Sequence, residues 1–214
     1  MSADSPLRAA RFAVTVLSAP LHDAVPMSFS SLTHRRVCLV EIEVEGGLTG
    51  IGESWINYPA WAAQERMATL CDGVAPLVLG QDVSDPERVC QELRRRLLPI
   101  GRQWGAPGPI WQAISAVDQA LWDLKGKRAG QSVAQLLGGG PPRRSVPAYA
   151  SGVGPTDVIT LCESALDAGL TAVKTKVGFG VDTDHTTLGD ARSALGAEVA
   201  LFADANQAWS LDEA

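Results

Sequence analysis

The sequence predicts an α+β domain followed by the first βα units of a (β/α) TIM-type barrel that is truncated. Three observations support this prediction. The first 60 residues favour strands, helical periodicity extends from there to residue 137, and strands alternate with helices after the glycine and proline cluster at residues 138–142. Alternating strands and helices are typical of a parallel sheet or barrel. We therefore expect one domain over residues 1–140 and a second, incomplete domain over residues 141–214.

The first part of the chain is expected to form an antiparallel meander of three strands. The segment from Val37 to Glu45 alternates apolar residues with acids near its end, and Gly46-Gly47 turns the chain back. Apolar segments of similar character precede and follow it. The three strands are predicted over residues 11–16, 36–44 and 49–55.

Helical periodicity follows the predicted meander. The clearest helix extends from Pro109 to Arg128, where apolar residues recur every three to four positions and Gly126 and Gly130 lie near the end. The other helices are predicted over residues 60–79, 85–98 and 132–137. The cluster from Gly138 to Pro142 then breaks the pattern and marks the domain boundary.

Beyond this boundary the chain is expected to alternate between strands and helices. The strands are predicted over residues 146–150, 172–177 and 199–204, and the helices over residues 156–168 and 183–195. A dinucleotide-binding fold is disfavoured, because Gly178-Phe-Gly180 lacks the third glycine of that motif. Ser210 is a good N-cap for another helix. A TIM barrel needs about 250 residues and only three units fit here, so we expect the barrel to be truncated.

Composition excludes several classes of protein. The 214 residues have a net charge of −6 and a pI near 5.0. The sequence has no stripe of lysine and arginine, no membrane-length apolar run and no signal-peptide core, so neither a nucleic-acid nor a membrane partner is expected. Cys38, Cys71, Cys90 and Cys162 lack metal-binding spacing and indicate reduced, mostly buried thiols in a cytoplasmic protein.

Two lysines on one predicted strand are the first candidates for chemistry. Lys174 and Lys176 are two residues apart, so their side chains share a face. If that face is a barrel interior, the ammonium groups lie about 6.5 Å apart and repel by about 2.5 kcal/mol at an effective dielectric of about 20. Repulsion and desolvation then lower a lysine pKa and allow a base. The pattern equally supports two surface lysines, with Val173, Thr175 and Val177 as the buried face.

The next predicted strand ends in a second polar pair, Asp204 and Asn206. An isolated aspartate at a strand end is more often a turn or capping residue than a metal ligand. Parallel barrels, however, place their catalytic groups at the C-terminal ends of several strands. The two pairs taken together therefore indicate a reaction site.

In order and spacing, these motifs resemble the mandelate racemase and muconate lactonizing enzyme group of the enolase superfamily. The lysine pair followed one strand later by Asp204-Ala-Asn206 is similar to the barrel of that group. In the first half, Thr49-Gly-Ile-Gly-Glu53 and the segment from Ala116 to Lys127 resemble its capping domain. The resemblance extends from about Arg11 to the end of the chain. It implies an enolase-like capping domain followed by an enolase-like barrel domain.

The resemblance also implies roles for the four residues. Lys176 matches the general base, and Lys174 matches the companion that favours loss of its proton and contacts the substrate carboxylate. Asp204 matches the first of three acidic Mg²⁺ ligands, and Asn206 a polar substrate contact. Carboxylate ligands suit a hard ion such as Mg²⁺. The implied reaction removes a proton next to a carboxylate through an enediolate that the metal stabilises.

Three outcomes of this reaction fit the same residues: racemisation or epimerisation, dehydration of a sugar acid, and cycloisomerisation. The resemblance implies a small carboxylate or sugar-acid substrate, a homo-oligomeric full-length enzyme, and specificity loops at Ser18–Leu32 and Ser54–Trp61. The two remaining metal ligands are expected beyond Ala214, so the chain alone is expected to be inactive. The alternative is a non-catalytic half-barrel, a fragment or remnant that acts only through association.

Overall fold

The protein forms two compact units in a computed structural model, which describes residues 5–138, 141 and 145–212. The first unit extends to Pro20 and resumes over His34–Pro142. The second comprises Leu21–Thr33 together with the chain from Arg143 onwards. Within the described ranges, no helix is both long enough and apolar enough to cross a membrane.

The predicted antiparallel meander is confirmed as a sheet of three strands in the order β1–β2–β3. These strands are β1 (Ala9–Met27), β2 (Ser30–Val44) and β3 (Thr49–Ser54). Only two residues connect β1 to β2, which requires an antiparallel hairpin. β3 pairs antiparallel with β2, from Cys38 opposite Ser54 to Glu43 opposite Thr49.

Helices of the first unit follow this sheet in the chain. They are α1 (Ala62–Ala68), α2 (Ala75–Val78), α3 (Pro86–Trp104), α4 (Pro107–Ala129) and α5 (Val133–Gly138), with a π-helical segment (Thr69–Val74) between α1 and α2. Asp85 caps α3 by accepting a hydrogen bond from the Arg88 N–H at 3.2 Å. The buried face of α4, which includes Ala113, Val117 and Leu121, forms much of the core with β2.

Two glycines allow β3 to lie directly against α4. A Cβ atom added to Gly52 would lie 2.0 Å from the carbonyl oxygen of Ala116, and one added to Gly50 would lie 2.1 Å from that of Ala120. Atoms at these distances overlap, so no side chain fits between the strand and the helix backbone. The glycines of the Thr49–Glu53 motif therefore serve packing.

The outer edge of β3 is covered by side chains of α4. The hydrogen bonds join Gln119 to the N–H and C=O of Glu53 (3.1 Å each), Asp123 to the N–H of Ile51 (2.9 Å) and Lys127 to the C=O of Thr49 (2.8 Å). The three helix residues are four positions apart and so lie on one face of α4. Four backbone groups of the strand edge thus have partners without a further strand.

The second unit contains a parallel sheet in the order β4–β5–β6. Its elements are β4 (Ala150–Val153), α6 (Val158–Asp167), β5 (Ala172–Lys176), α7 (Val181–Leu195) and β6 (Ala200–Asp204). Val173 of β5 is buried in a core with Cys162 of α6 and Ala191 of α7. Parallel strands connected by helices confirm the predicted barrel-type units.

The segment Ser18–Leu32, which the resemblance implied as a specificity loop, is not a loop, because most of it is the distal part of the β1–β2 hairpin. Residues 17–20 and 22–26 of β1 are exposed on both faces. The sequence therefore has no alternation of apolar and polar residues that would reveal a strand. Hydrogen bonding to β2, rather than burial of one face, organises this part of β1.

Three elements also differ from their predicted form. β4 begins at Ala150, where the predicted strand ended, because Ala150 and Ser151 are the residues that pair with β5. α3 continues through Pro99, between the buried residues Leu97 and Gly101. The helix predicted over residues 60–79 contains the π-helical segment. The boundary cluster and the helix predicted from Ser210 involve residues 139, 140, 142, 213 and 214, which lie outside the described residues.

Candidate active site

The C-terminal ends of β5 and β6 bring three of the predicted site residues together. Lys176 at the end of β5 lies opposite Asp204 at the end of β6, and Lys174 lies on the same face of β5. The lysine side chains are 24% and 19% exposed for Lys174 and Lys176. Val173 and Thr175 on the opposite face are fully buried. The lysines thus lie in a partly enclosed site on a strand whose other face belongs to the core.

One carboxylate oxygen of Asp204 accepts hydrogen bonds from both lysines. Its Oδ2 atom lies 2.7 Å from Lys176 Nζ and 3.0 Å from Lys174 Nζ. Its Oδ1 atom accepts from the backbone N–H of Asn206 at 3.0 Å. A single anion therefore holds two cations, and charge-assisted bonds of this kind are among the stronger ones in proteins.

Asp204 controls the ionisation of this group of three charges. Its hydrogen bond raises the pKa of Lys174. The sequence argument considered only the repulsion between the two ammonium groups and omitted this carboxylate. In turn, hydrogen bonds from Lys176 and Lys174 hold the pKa of the Asp204 carboxyl far below its ordinary value.

Two aromatic side chains flank Lys174. Its Nζ atom lies 5.7 Å from the ring centroid of Tyr149, a distance at which a cation and a ring attract each other. The same ring packs edge-on against Phe202 with centroids 5.7 Å apart. Tyr149 precedes β4 and Phe202 pairs with Lys174 on β6. Sequence reasoning missed both residues.

Asn206, the predicted substrate contact, lies in a turn directly after β6. Its φ is 46° and that of Gln207 is 63°, so two consecutive non-glycine residues adopt the left-handed conformation. Such conformations cost free energy and concentrate at functional sites. The turn directs the N–H of Asn206 at Asp204, which fixes the orientation of that carboxylate.

The distal part of the β1–β2 hairpin and Lys176 line one cavity of about 480 Å³. The other lining residues come from the hairpin, from β4 and the loop after it, and from α6: Asp23, Ala24, Val25, Pro26, Met27, Gly152, Gly154, Pro155, Thr156, Asp157 and Leu161. The segment Ser18–Leu32, which the resemblance implied as a specificity element, thus contributes directly to the surroundings of Lys176. Asp157 also has a positive φ, of 57°.

A buried carboxylate lies behind the loops that follow β5 and β6. Asp184 of α7 accepts hydrogen bonds from the backbone N–H groups of Gly178 (2.8 Å) and Phe179 (3.1 Å) and from the indole N–H of Trp209 (3.3 Å). Sequence reasoning missed this residue. The available signal was an aspartate at helical spacing with the buried Thr187 and Ala191, on the core face of α7.

Asp204 suits Mg²⁺ as a single ligand, but the described residues do not form a complete metal site. No group of three His, Cys, Asp or Glu side chains capable of holding a metal ion occurs among them. Mg²⁺ requires six oxygen ligands, usually waters with one or two carboxylates. The expected Mg²⁺ therefore fits the chemistry of Asp204 and needs further ligands.

Two family models match this chain. The model of the mandelate racemase / muconate lactonizing enzyme N-terminal domain matches residues 10–138, and that of the enolase C-terminal domain-like family matches residues 157–214. This chain belongs to the mandelate racemase / muconate lactonizing enzyme family. The resemblance inferred from the sequence motifs is confirmed, as is the predicted fold class.

Relatives of this enolase-superfamily chain include a cycloisomerase and a dehydratase. The chain is 34% identical to D-galactarolactone cycloisomerase of Agrobacterium fabrum, over 90% of this chain and 49% of that enzyme. It is also 34% identical to L-talarate/galactarate dehydratase of Salmonella typhimurium, over 92% of this chain and 50% of that enzyme. The chain thus spans about half the length of the curated relatives it matches.

Solved structures of the superfamily share the fold. A mandelate racemase/muconate lactonizing enzyme from Bordetella bronchiseptica is 35% identical with a TM-score of 0.82, covering 97% of this chain and 54% of that one. An enolase from Bradyrhizobium, complexed with magnesium and mandelic acid, is 25% identical with a TM-score of 0.82, covering 98% of this chain and 57% of that one.

Proposed function

We propose that this chain supplies the base and one metal ligand of a Mg²⁺-dependent enzyme that removes the proton next to the carboxylate of a sugar acid. The observation that carries the proposal is the position of Lys176, which lines the cavity and lies 2.7 Å from Asp204. The names of the cycloisomerase and dehydratase relatives support an acid substrate. The Bradyrhizobium complex with magnesium and mandelic acid supports the metal.

Each site residue of this chain has a distinct task in this proposal. A proton next to a carboxylate is weakly acidic, so its removal needs a neutral base and stabilisation of the enediolate. When bound, Mg²⁺ supplies that stabilisation as a Lewis acid, with Asp204 as one of its ligands. Once Asp204 no longer accepts hydrogen bonds from both lysines, the two ammonium groups face each other. Their repulsion favours loss of one proton from the pair, which provides the base.

Among the mainly apolar residues that line the cavity, a few polar side chains favour a substrate with hydroxyl groups. Lys174 offers an ammonium group to the substrate carboxylate, and the Tyr149 ring beside it restricts where that group can lie. Asp23, Thr156 and Asp157 line the same cavity as Lys176 and present oxygens that accept hydrogen bonds from hydroxyl groups. A hydroxylated acid therefore fits better than an apolar one.

Racemisation, dehydration and cycloisomerisation all begin with this proton transfer, and analysis of the products assigns the outcome. For the 214 residues alone we propose no turnover, because one carboxylate does not hold Mg²⁺ firmly. A cytoplasmic location, consistent with four free cysteines, belongs to the same proposal.

Exchange of the substrate α-proton with solvent deuterium tests the proposal in the full-length protein. Galactarate, galactonate and mannonate serve as probes, with Mg²⁺ present and NMR detection. We expect Lys176→Ala to reduce exchange by at least about 10²–10⁴-fold, since it removes the base. Lys174→Ala should weaken turnover less, because it leaves the base in place although it removes a binding charge and the repulsion that favours loss of the proton from that base.

Lys125→Ala is the matched control, because this lysine contacts Trp122 in the first unit and not the proposed site. Its exchange rate should equal that of the wild type. Unchanged exchange in folded Lys176→Ala protein would rule out the assigned base. A wild-type protein that exchanges the α-proton of none of the acids would count against the proposed function as a whole.

A further inference from the structure

We infer that Asp184 is a positioning residue that fixes, relative to each other, the two loops that directly follow Lys176 and Asp204. The inference rests on the proposed function, because it concerns the same site. Asp184 is 6% exposed and lies in the first turns of α7, behind both loops. It does not line the cavity around Lys176, so it acts through other residues.

The carboxylate of Asp184 joins two separate loops. The N–H groups of Gly178 and Phe179 belong to the loop after β5, and Gly178 is only two residues beyond Lys176. The indole N–H of Trp209 belongs to the segment that follows Asp204, the last residue of β6. An ionised carboxylate accepts several hydrogen bonds at once, and each is stronger than a bond to a neutral acceptor. Asp184 therefore provides one rigid reference point for both loops.

Gly178 is packed so tightly that the loops cannot shift independently. Its φ is +94°, and a Cβ atom there would lie 2.6 Å from Cβ of Ala208 and 2.9 Å from the carbonyl oxygen of Ala205. The hairpin reaches the same point, since the Ser28 hydroxyl donates to the Ala205 carbonyl at 3.1 Å. We call this contact of hairpin and two loops the loop junction.

The loop junction connects the residues that line the cavity with the residues proposed to react. Ser28 adjoins the hairpin residues that line the cavity, whereas Ala205 directly follows Asp204. A displacement of about 1 Å at a reacting group can reduce the rate about 10²-fold. Loss of the Asp184 carboxylate should therefore affect turnover more than substrate binding, although Asp184 touches neither lysine.

Asp184→Asn in the full-length protein is the test, with Asp182→Asn as the matched control. Both changes remove one negative charge from the first turns of α7, but Asp182 is exposed. Hydrogen exchange measured by NMR reports the backbone N–H groups of Gly178 and Phe179, and steady-state kinetics separates kcat from KM. We expect Asp184→Asn to accelerate both exchange rates at least about tenfold and to lower kcat at least about tenfold, with KM within about threefold. Asp182→Asn should match the wild type.

Two results would overturn the inference. One is a kcat for Asp184→Asn within about twofold of wild type although the amide protons of Gly178 and Phe179 exchange faster. The other is an unchanged exchange rate of these amide protons. If Asp184→Asn does not fold, Trp209→Phe decides the question, since it removes one donor and should lower kcat about threefold or more. A wild-type protein that does not exchange the substrate α-proton would contradict the proposed function. The amide exchange rates of Gly178 and Phe179 would then still test whether Asp184 holds the loop.

Discussion

Replacing Asp204 with asparagine should reverse the electrostatic environment of the lysine pair. Both Nζ atoms bind the same carboxylate oxygen, at 3.0 and 2.7 Å, so they lie within about 6 Å of each other. Asparagine keeps the shape of the side chain but removes the only anion that bonds to them among the described residues. At an effective dielectric of about 20, the remaining repulsion between two ammonium groups is about 3 kcal/mol. The pKa of Lys174, which Asp204 raises in the wild type, should then fall.

Competitive acylation without Mg²⁺ measures this change directly. An acylating reagent modifies the neutral amine, so a lowered pKa makes Lys174 react faster at a fixed pH near 8. Mass spectrometry compares its modification with that of Lys125, a lysine of the first unit that serves as the internal reference. We expect Lys174 to react at least about tenfold faster in the Asp204→Asn protein. Equal or slower modification would show that Asp204 does not control the ionisation of Lys174.

Two further predictions concern the first unit. Gly52→Ala should lower the free energy of unfolding by about 3 kcal/mol. The added Cβ would lie 2.0 Å from the Ala116 carbonyl oxygen, which would have to move by about 1.4 Å to reach the 3.4 Å of ordinary contact. Gly73→Ala, which meets nothing within 4 Å, is the control in urea denaturation, and equal stabilities would contradict the packing argument. Burial raises the pKa of the Cys90 thiol to about 12, so alkylation at pH 8–9 should modify exposed Cys71 and spare Cys90; mass spectrometry showing the reverse order would refute this.

Strict strand periodicity explains why the sequence could predict that three of the candidate residues lie together. Side chains two residues apart share a face, and parallel strands end at the same edge of a sheet. These two rules placed Lys174 and Lys176 together and brought Asp204 near them. The same rules did not predict which charges would pair, since the register between β5 and β6 is a tertiary property. The sequence argument therefore located Lys174 but omitted the carboxylate that raises its pKa.

Other parts of the site had a weak sequence signal or none. The distal hairpin has no buried face, so its strands show no alternation, and its contribution to the cavity could not be derived from pattern. Asp184 had a detectable signal, because a charged residue at a core position of an amphipathic helix requires compensation. Its partners, Gly178 and Trp209, are six and 25 residues away in sequence, so their identity depended on the fold.

The polar face of α4 has a consequence for how this molecule can change. Gln119, Asp123 and Lys127 substitute for a fourth strand, so the sheet ends because of three side chains rather than because of its backbone. Substituting apolar residues there would leave the protein's proposed chemistry untouched and yet create a surface onto which a strand of another molecule can be added. Mutations in this helix would then appear as aggregation and not as loss of catalysis. Three polar side chains on one helix can thus decide whether the sheet ends within one molecule.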